Sequence, residues 1–482
     1  MPDFRPVAHI IGLLLVALGL TMLIPAATDY VQGQDTWRVF VLSAFVTALA
    51  GACAALATAN ALGAALTLRQ SFLLTTLTWV VLPAFGALPL YLGLEALDVT
   101  DALFEAMSGM TTTGTTVLTG LDETAAGILL WRSILQWLGG LGIVIVALIF
   151  LPVMKVGGMQ HFRSEGFDTM GKVMPRVADI SLMLVQIYLG LTILAALAYL
   201  MAGMGAFDAV NHALTTIATG GYSTRDASFV EFSPLAQNVS TVLMWLAGLP
   251  FIRYVQLVNG SVTPLLRDVQ VHAYLRWTLY AVGLVAGYRL LEGGVPVEQV
   301  LRESAFNTIS LMSGTGYGSA DVPAWGDFPV LVVIVAGFVG ACTASTGCSI
   351  KVFRFLVLFG AIRAQLRQVV HTNRVALVRI EGRRVDDEVI TSVIVMFTAF
   401  MLGFGVLTIL LSLTGLETRT AITAAWTAIC NIGPVFGREV GETGAVHLFP
   451  ETAKWLMIAG MLMGRLEMVA VLVLLLPRFW RG

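Results

Sequence analysis

Charge is scarce in this chain. Of its 482 residues only 12% are Asp, Glu, Lys or Arg, against about 25% in a soluble domain. With 57% of the residues hydrophobic, too little charged surface is left to hold such a core in water, which excludes an ordinary soluble fold. Bases and acids nearly cancel, to a net charge of −2, so the basic footprint of a nucleic-acid binder is missing. The four cysteines, Cys53, Cys342, Cys348 and Cys430, form no CxxC pair. They read as small buried residues, which excludes a disulfide framework or a zinc site of that spacing. The six histidines are scattered, without an HExxH, and no Ser/His/Asp set or acidic metal-ligand spacing can be placed. These absences argue against a membrane-embedded enzyme. No small-residue cleavage pattern follows the first apolar run, which reads as a span and not as a signal peptide.

What the chain does have is apolar runs of about 20 residues, the length that crosses a bilayer as a helix. Ten spans are expected, at 8–27, 37–66, 72–94, 127–152, 181–203, 236–260, 273–291, 327–358, 391–414 and 452–476. The eighth is interrupted by "GACTASTGCS" at 340–349, too polar and glycine-rich for plain helix. An even number of spans puts both termini on one side. The basic residues Lys155, Arg163, Lys172 and Arg176, and Lys351, Arg354, Arg363, Arg367, Arg374, Arg379, Arg383 and Arg384, fall on that side, with Arg69, Arg267, Arg276, Arg478 and Arg481. Basic loops stay in the cytoplasm, so both termini are expected there. The opposite loops hold Asp98, Asp101, Asp122, Glu123, Asp226, Glu231, Asp321, Asp327, Glu442 and Glu451. Such a face either concentrates cations or is simply a solvated rim.

Four segments too short to span lie between outer loops. Aligned without gaps they read "DALFEAMSGMTTTG" at 101–114, "DAVNHALTTIATGG" at 208–221, "ESAFNTISLMSGTG" at 303–316 and "TAITAAWTAICNIG" at 420–433. Each opens on an acid or an N-cap residue type, Asp101, Asp208, Glu303 or Thr420, suited to the free N–H groups of a helix start. Each ends on a key glycine, Gly114, Gly221, Gly316 or Gly433. The repeated unit is span, half-helix, loop, span. Irregular backbone in a membrane is tolerated where it lines a cavity. Four half-helix C-termini aimed at one axis favour a cation. Glycine beyond them lets carbonyl oxygens turn inward and replace an ion's water, as in a potassium-channel filter. A glycine-rich phosphate loop is the rival reading, but no strand precedes these loops and no GK[ST] follows them. "GGLG" at 139–142 lies inside a span and reads as helix packing.

With these segments on the page, the chain resembles the Trk/Ktr/HKT superfamily of potassium transporters, and most closely its TrkH branch. The likeness covers nearly the whole chain. It rests on "TTTGTTV" (111–117), "ATGGYSTRD" (218–226), "ASTGCSIKVFR" (344–354), "GRLEMVAVLVL" (464–474) and two extra N-terminal helices. It implies an all-α polytopic membrane protein: four pseudo-symmetric repeats around one pore at 71–155, 156–268, 269–385 and 386–482, after a two-helix unit at 1–70. It implies potassium uptake across a bacterial inner membrane by a homodimer, with a TrkA-like cytosolic regulatory subunit that binds nucleotides. No cofactor is expected in this chain, potassium being the substrate. The potassium-binding filter carries over as Thr112, Thr113, Gly114 and Thr115; Thr219, Gly220, Gly221 and Tyr222; Gly314, Thr315, Gly316 and Tyr317; and Asn431, Ile432, Gly433 and Pro434. Glycine at all four key positions goes, in that superfamily, with potassium over sodium; the fourth segment departs most from the threonine-rich pattern.

The family counterpart of 340–349 is an intramembrane loop that obstructs the pore, so Thr343, Ser345, Thr346 and Gly347 are expected to form a movable plug; a static kink is the alternative. Arg465 lies mid-span, where a charge must face protein or water. It is expected either to point into the cavity below the filter as an electrostatic barrier or to cap carbonyls or bridge helices. Glu467, two residues on, does not share its helix face. Lys351 is either part of the gate or a plain cytoplasmic charge. Glu105, His212 and Asn307, with Ala424 as the fourth, stand nine residues before the key glycines. They are expected to support the filter from behind; His212 alone invites a proton-coupling reading. Basic segments at 153–180 and 360–390 suit a soluble partner or anionic lipid. The alternatives to potassium uptake are a sodium- or proton-coupled symporter using the same pore, and a sensor or scaffold without flux.

Overall fold

The computed structural model describes residues 3–61, 66–146, 177–371, 377–380 and 383–481. The expected bases Lys155, Arg163, Lys172, Arg176 and Arg374, the repeat boundary at 155/156 and the end of the 127–152 span lie outside them. The described chain is helical, apart from an antiparallel pair of two-residue strands, Arg379–Ile380 with Arg383–Arg384.

Its first unit is a near-continuous run of α1 (Arg5–Thr21) and α2 (Leu23–Gln32), packed on α3 (Trp37–Ala57). Gly12 and Gly51 let α1 and α3 approach to backbone contact: a Cβ on Gly12 would lie 2.7 Å from the Gly51 oxygen. Close small-residue crossings of this kind hold helices together in lipid, where no hydrophobic force distinguishes side chains from tails.

The four repeats follow. The first has α4 (Leu68–Gly86) and α5 (Leu88–Gly93), the half-helix α6 (Val99–Met110) and α7 (Ala126–Ile145). The second has α8 (Val177–Met201), the half-helix α9 (Ala206–Ile217), then α10 (Pro234–Ala247) and α11 (Phe251–Val258). After the short α12 (Thr263–Arg267), the third has α13 (Val269–Glu292), the half-helix α14 (Val297–Ser313), α15 (Asp327–Val339) and α16 (Val352–Val370). The fourth has α17 (Asp387–Leu413), the half-helix α18 (Thr418–Cys430), α19 (Glu451–Arg465) and α20 (Val469–Leu474); α21 (Pro477–Arg481) ends the described chain.

Six helical runs among the described residues are long and apolar enough to cross a membrane: Arg5–Gln32, Trp37–Ala57, Leu68–Gly93, Ala126–Ile145, Ser181–Met201 and Asp387–Leu413. The other expected spans depart from plain helix. The sixth, 236–260, bends by 93° between α10 and α11, where Pro250 has no N–H to continue the ladder. The seventh, 273–291, lies within Val269–Glu292, whose Arg276, Arg289 and Glu292 reduce its apolarity. The eighth breaks after α15, as "GACTASTGCS" indicates. The tenth, 452–476, breaks after Arg465, with Glu467 and Met468 at φ 59° and 44°.

Polarity is inverted relative to a soluble protein. Leu13, Phe45, Leu194 and Leu402 are exposed, whereas Glu105, Arg132, Gln136, His212, Asn307 and Asn431 are buried. Buried polar groups at membrane depth have to be satisfied within the protein. Asp101, Asp208, Glu303 and Thr420, which open the aligned segments, make side-chain pairs rather than cap the half-helices. The first half-helix is capped by Asp98, which accepts from the Asp101 N–H at 2.7 Å. Asp101 instead pairs with Lys454 of α19 at 2.5 Å, Asp208 with Arg225 at 3.4 Å and Glu303 with Arg289 at 2.7 Å. Thr420 donates its hydroxyl to Glu439. That bond, with the Glu417 N–H, holds the Glu439 carboxyl below the ordinary carboxylate range.

Candidate functional site: a fourfold ring and the loop beneath it

The four half-helices end in one backbone design. Residues two before the key glycine are left-handed in every repeat: Thr112 at φ 54°, Thr219 at 51°, Gly314 at 83° and Asn431 at 51°. The key glycines are left-handed again, Gly114 at 86°, Gly221 at 81°, Gly316 at 86° and Gly433 at 114°. The residue between donates its N–H back into the half-helix: Thr113 to Ser108 O at 2.8 Å, Gly220 to Thr215 O at 2.8 Å, Thr315 to Ser310 O at 2.9 Å and Ile432 to Thr427 O at 3.2 Å. The same conformation thus forms four times from different side chains.

These four segments close into a ring. A Cβ on Gly114 would overlap the Gly220 carbonyl oxygen, one on Gly221 the Thr315 oxygen, and one on Gly316 the Ile432 oxygen. One on Gly433 would lie 2.9 Å from the Thr113 oxygen. Each key glycine therefore abuts the carbonyl before the key glycine of the next repeat, in the order one, two, three, four and back to one. Between repeats four and one the ring is also tied by the Thr115 hydroxyl donating to Gly433 O at 2.7 Å and Asn431 Nδ2 to Thr113 Oγ1 at 2.8 Å. A cavity of about 540 Å³ opens onto all four key glycines, with Asp226, Asp321 and Glu442 on its wall. Arg225 stands on the same wall, and its guanidinium pKa is raised chiefly by its hydrogen bond to Asp122.

The loop between α15 and α16 presses on this ring from the other side. Its residues 340–350 are buried throughout. A Cβ on Gly347 would sit 2.6 Å from the Ser313 oxygen, at the end of the third half-helix. The loop and the bend of the sixth span satisfy each other: Phe251 N–H donates to Ala344 O at 2.8 Å, and Cys342 N–H to Gly248 O at 3.0 Å. The Thr343 N–H donates to Gln270 Oε1 at 3.1 Å, the Ser345 hydroxyl to Cys342 O at 2.7 Å, and the Thr346 hydroxyl to Ala247 O at 3.3 Å. Arg465 is buried against the loop. It donates to Thr346 O at 3.3 Å, Cys348 Sγ at 2.6 Å and, on α7, Gly139 O at 3.0 Å, with the Trp79 ring 5.3 Å from its guanidinium. Its contacts are those of a carbonyl cap, and they pin the loop to the first repeat. Glu467 pairs with Arg354 at 2.5 Å, not with Arg465. Lys351 is buried at the loop's end, left-handed at φ 77°.

A family model described as TrkH, cation transport protein, matches residues 37–258 and 253–481. The chain belongs to the TrkH family. It is 38% identical over 480 residues to the Trk system potassium uptake protein TrkI of Halomonas elongata, covering 99% of this chain and 97% of that one. It is 34% identical over 486 residues to the Trk system potassium uptake protein TrkH of Escherichia coli K12, covering 99% of each. The crystal structure of the potassium transporter TrkH from Vibrio parahaemolyticus superposes with a TM-score of 0.90 at 32% identity, over 100% of both chains. This TrkH-family chain is accordingly a mostly helical, multi-pass membrane protein of a cation-transport family, not of an enzyme family.

Behind the ring, this TrkH-family chain uses the −9 position to hold the segment that leaves the ring. Glu105 accepts from the Val117 N–H and the Thr116 hydroxyl, each at 3.0 Å. Asn307 exchanges bonds with Ser319 at 2.9 and 3.2 Å. His212 is fixed through both ring nitrogens, by Asp208 O at 2.8 Å and Ser223 Oγ at 3.0 Å. Ala424 cannot do this, and its neighbour Thr423 does instead, donating to Phe436 O at 2.8 Å. Three features escape the sequence reading. A hydroxyl stands six before every key glycine, as Ser108, Thr215, Ser310 and Thr427; Ser108 and Ser310 donate to the carbonyls after their key glycines at 2.6 and 2.8 Å. That column was visible in the aligned segments. Arg132 and Gln136 were not. Arg132 pairs with Glu105 at 2.7 Å, donates to Ser223 O at 3.2 Å and lies 4.0 Å over the Tyr222 ring.

Proposed function

We propose that this protein conducts potassium into the cell through a pore whose selectivity filter is the fourfold ring. The observation that carries the reading is the closed circuit of four left-handed glycines, each against a carbonyl of the next repeat, at the floor of an outer cavity. The uptake function named for its full-length relatives supports it. In this reading Thr112, Thr113, Gly114 and Thr115, with Thr219, Gly220, Gly221 and Tyr222, Gly314, Thr315, Gly316 and Tyr317, and Asn431, Ile432, Gly433 and Pro434, form the potassium sites. Backbone oxygens replace the ion's water, and half-helix C-termini add negative potential at the axis. Acids on the cavity wall raise the local cation concentration.

The loop bearing Thr343, Ser345, Thr346 and Gly347 is the gate, held shut by Arg465, with Lys351 at its cytoplasmic end. The guanidinium adds a positive charge on the conduction path below the filter, and moving it away removes both the tether and the charge. His212 serves as support rather than as a proton relay, since both its nitrogens are engaged. Cytoplasmic termini, a bacterial inner-membrane location, a homodimer and a nucleotide-binding regulatory subunit complete the reading.

The test is ion flux into liposomes containing the purified protein. Potassium and rubidium are expected to permeate well above sodium and lithium. Equal permeation of sodium and potassium would overturn the filter reading.

A further inference from the structure

In three repeats the residue before the key glycine carries a side chain, Thr113, Thr315 or Ile432. In the second it is Gly220. The place a side chain would take there is occupied by Gln136, which reaches in from α7 of the first repeat: a Cβ on Gly220 would overlap its carboxamide. Gln136 is fully buried and uses both ends of that group. Nε2 donates to Gly220 O at 2.6 Å, and Oε1 accepts from the Tyr222 N–H at 3.0 Å. One side chain thus brackets Gly221 from both sides. A carboxamide is the neutral group that donates and accepts at once in this way. Among the described residues, no side chain donates to the carbonyls of Thr113, Thr315 or Ile432.

The helix that presents Gln136 is itself immobilised. Arg132, one turn earlier on the same face, is bonded to Glu105, Thr116 and Ser223. One turn later, a Cβ on Gly139 would overlap the Met110 oxygen at the end of the first half-helix, and one on Gly140 would lie 2.9 Å from Ala218 Cα. The "GGLG" stretch seats α7 against the first two half-helices.

We infer that Gln136 is a positioning residue for ion selectivity, locking the second filter segment through its carboxamide. The inference rests on the filter reading above. A carbonyl held at fixed position resists contraction of the ring around an ion smaller than potassium, leaving that ion under-coordinated. The second quadrant of the ring is therefore the one whose carbonyl before the key glycine is held by a side chain, and that side chain comes from another repeat.

Wild type, Gln136→Leu, Gln136→Glu and the double variant Gln136→Ala/Gly220→Thr are compared in liposomes for their sodium-to-potassium permeability ratio. Leucine removes both bonds at similar volume. Glutamate, compared at a pH where it is ionised, keeps the acceptor for Tyr222 but repels the Gly220 carbonyl. Both are expected to raise the ratio by about tenfold or more, the equivalent of one buried hydrogen bond's loss, with potassium flux retained. The double variant refills the space without the two bonds and is expected to stay unselective. If it regains the wild-type ratio, volume and not bonding sets selectivity, and the inference fails; it also fails if the leucine and glutamate variants keep the wild-type ratio. A wild type that passes both ions equally removes the filter reading and this inference together. Should the leucine variant not fold, the near-isosteric glutamate variant decides, read also as loss of the extra thermal stability that potassium confers over sodium.

Discussion

Gly221 meets two demands that no other residue type meets together. Its φ of 81° costs an L-residue about 1–2 kcal/mol, and a Cβ there would strike the Thr315 carbonyl of the next repeat. The second demand is the graver, because backbone cannot swing aside as a side-chain tip can. Gly221→Ala is expected to lower potassium flux by more than about tenfold in liposomes, since a shift of under an ångström in Thr315 displaces a carbonyl of the proposed filter. Gly294→Ala is the control: Gly294 is equally left-handed, at φ 84°, but nothing lies within 4 Å of a Cβ there. It bears only the conformational cost and should keep wild-type flux. Equal losses in both variants would mean that strain, not ring geometry, is being measured. The key glycines were legible because they fall in one column of four ungapped segments. Gln136 and Arg132 were not, because the backbone carbonyls of the second repeat to which they donate lie 84 and 91 residues along the chain, and a buried amide or guanidinium carries no periodic signature.

At the scale of elements, breaks in helices proved more informative than helices. "GACTASTGCS" announced the loop by composition. The bend at 248–250 left only one proline as its sign, and its cause lies elsewhere in the chain: the backbone groups it frees are bonded by the loop itself, through Ala344 O and Cys342 N–H. Neither break would be tolerated in lipid alone, and the bend depends on a partner loop that its own sequence does not contain. Arg465 is the removable member of this arrangement. Its bonds to Thr346 O and Gly139 O tie the loop to α7, whereas the backbone bonds at the bend remain without it. Arg465→Ala is expected to raise potassium flux severalfold, and so is deletion of Thr343–Gly347. Combined, the two should give little more than either alone, because both act on one closure. Unchanged flux in the deletion would refute a plugging loop, and fully additive gains would separate the arginine's charge from the loop's position.

At the scale of the whole molecule, the candidate ion sites are held by no single repeat. They join segments from Gly114 to Gly433, and the ring is closed by contacts between the first repeat and the fourth, Thr115 to Gly433 and Asn431 to Thr113. An ion bound in the ring therefore holds four parts of the fold together, and unfolding must release it. A ligand that binds only the folded state stabilises it by RT ln(1 + [L]/Kd), about 2.7 kcal/mol at a hundredfold excess over Kd. The purified protein is expected to melt at a higher temperature in potassium or rubidium chloride than in sodium or choline chloride of equal ionic strength, which cancels general screening of the exposed charges. Gly221→Ala, which spoils the ring without touching the spans, should lose most of that difference while keeping its baseline in choline. The comparison needs no transport and no regulatory partner, so it separates an intact filter behind a shut gate from no filter at all. Identical melting in all four salts would leave the ring a structural seam rather than a potassium site.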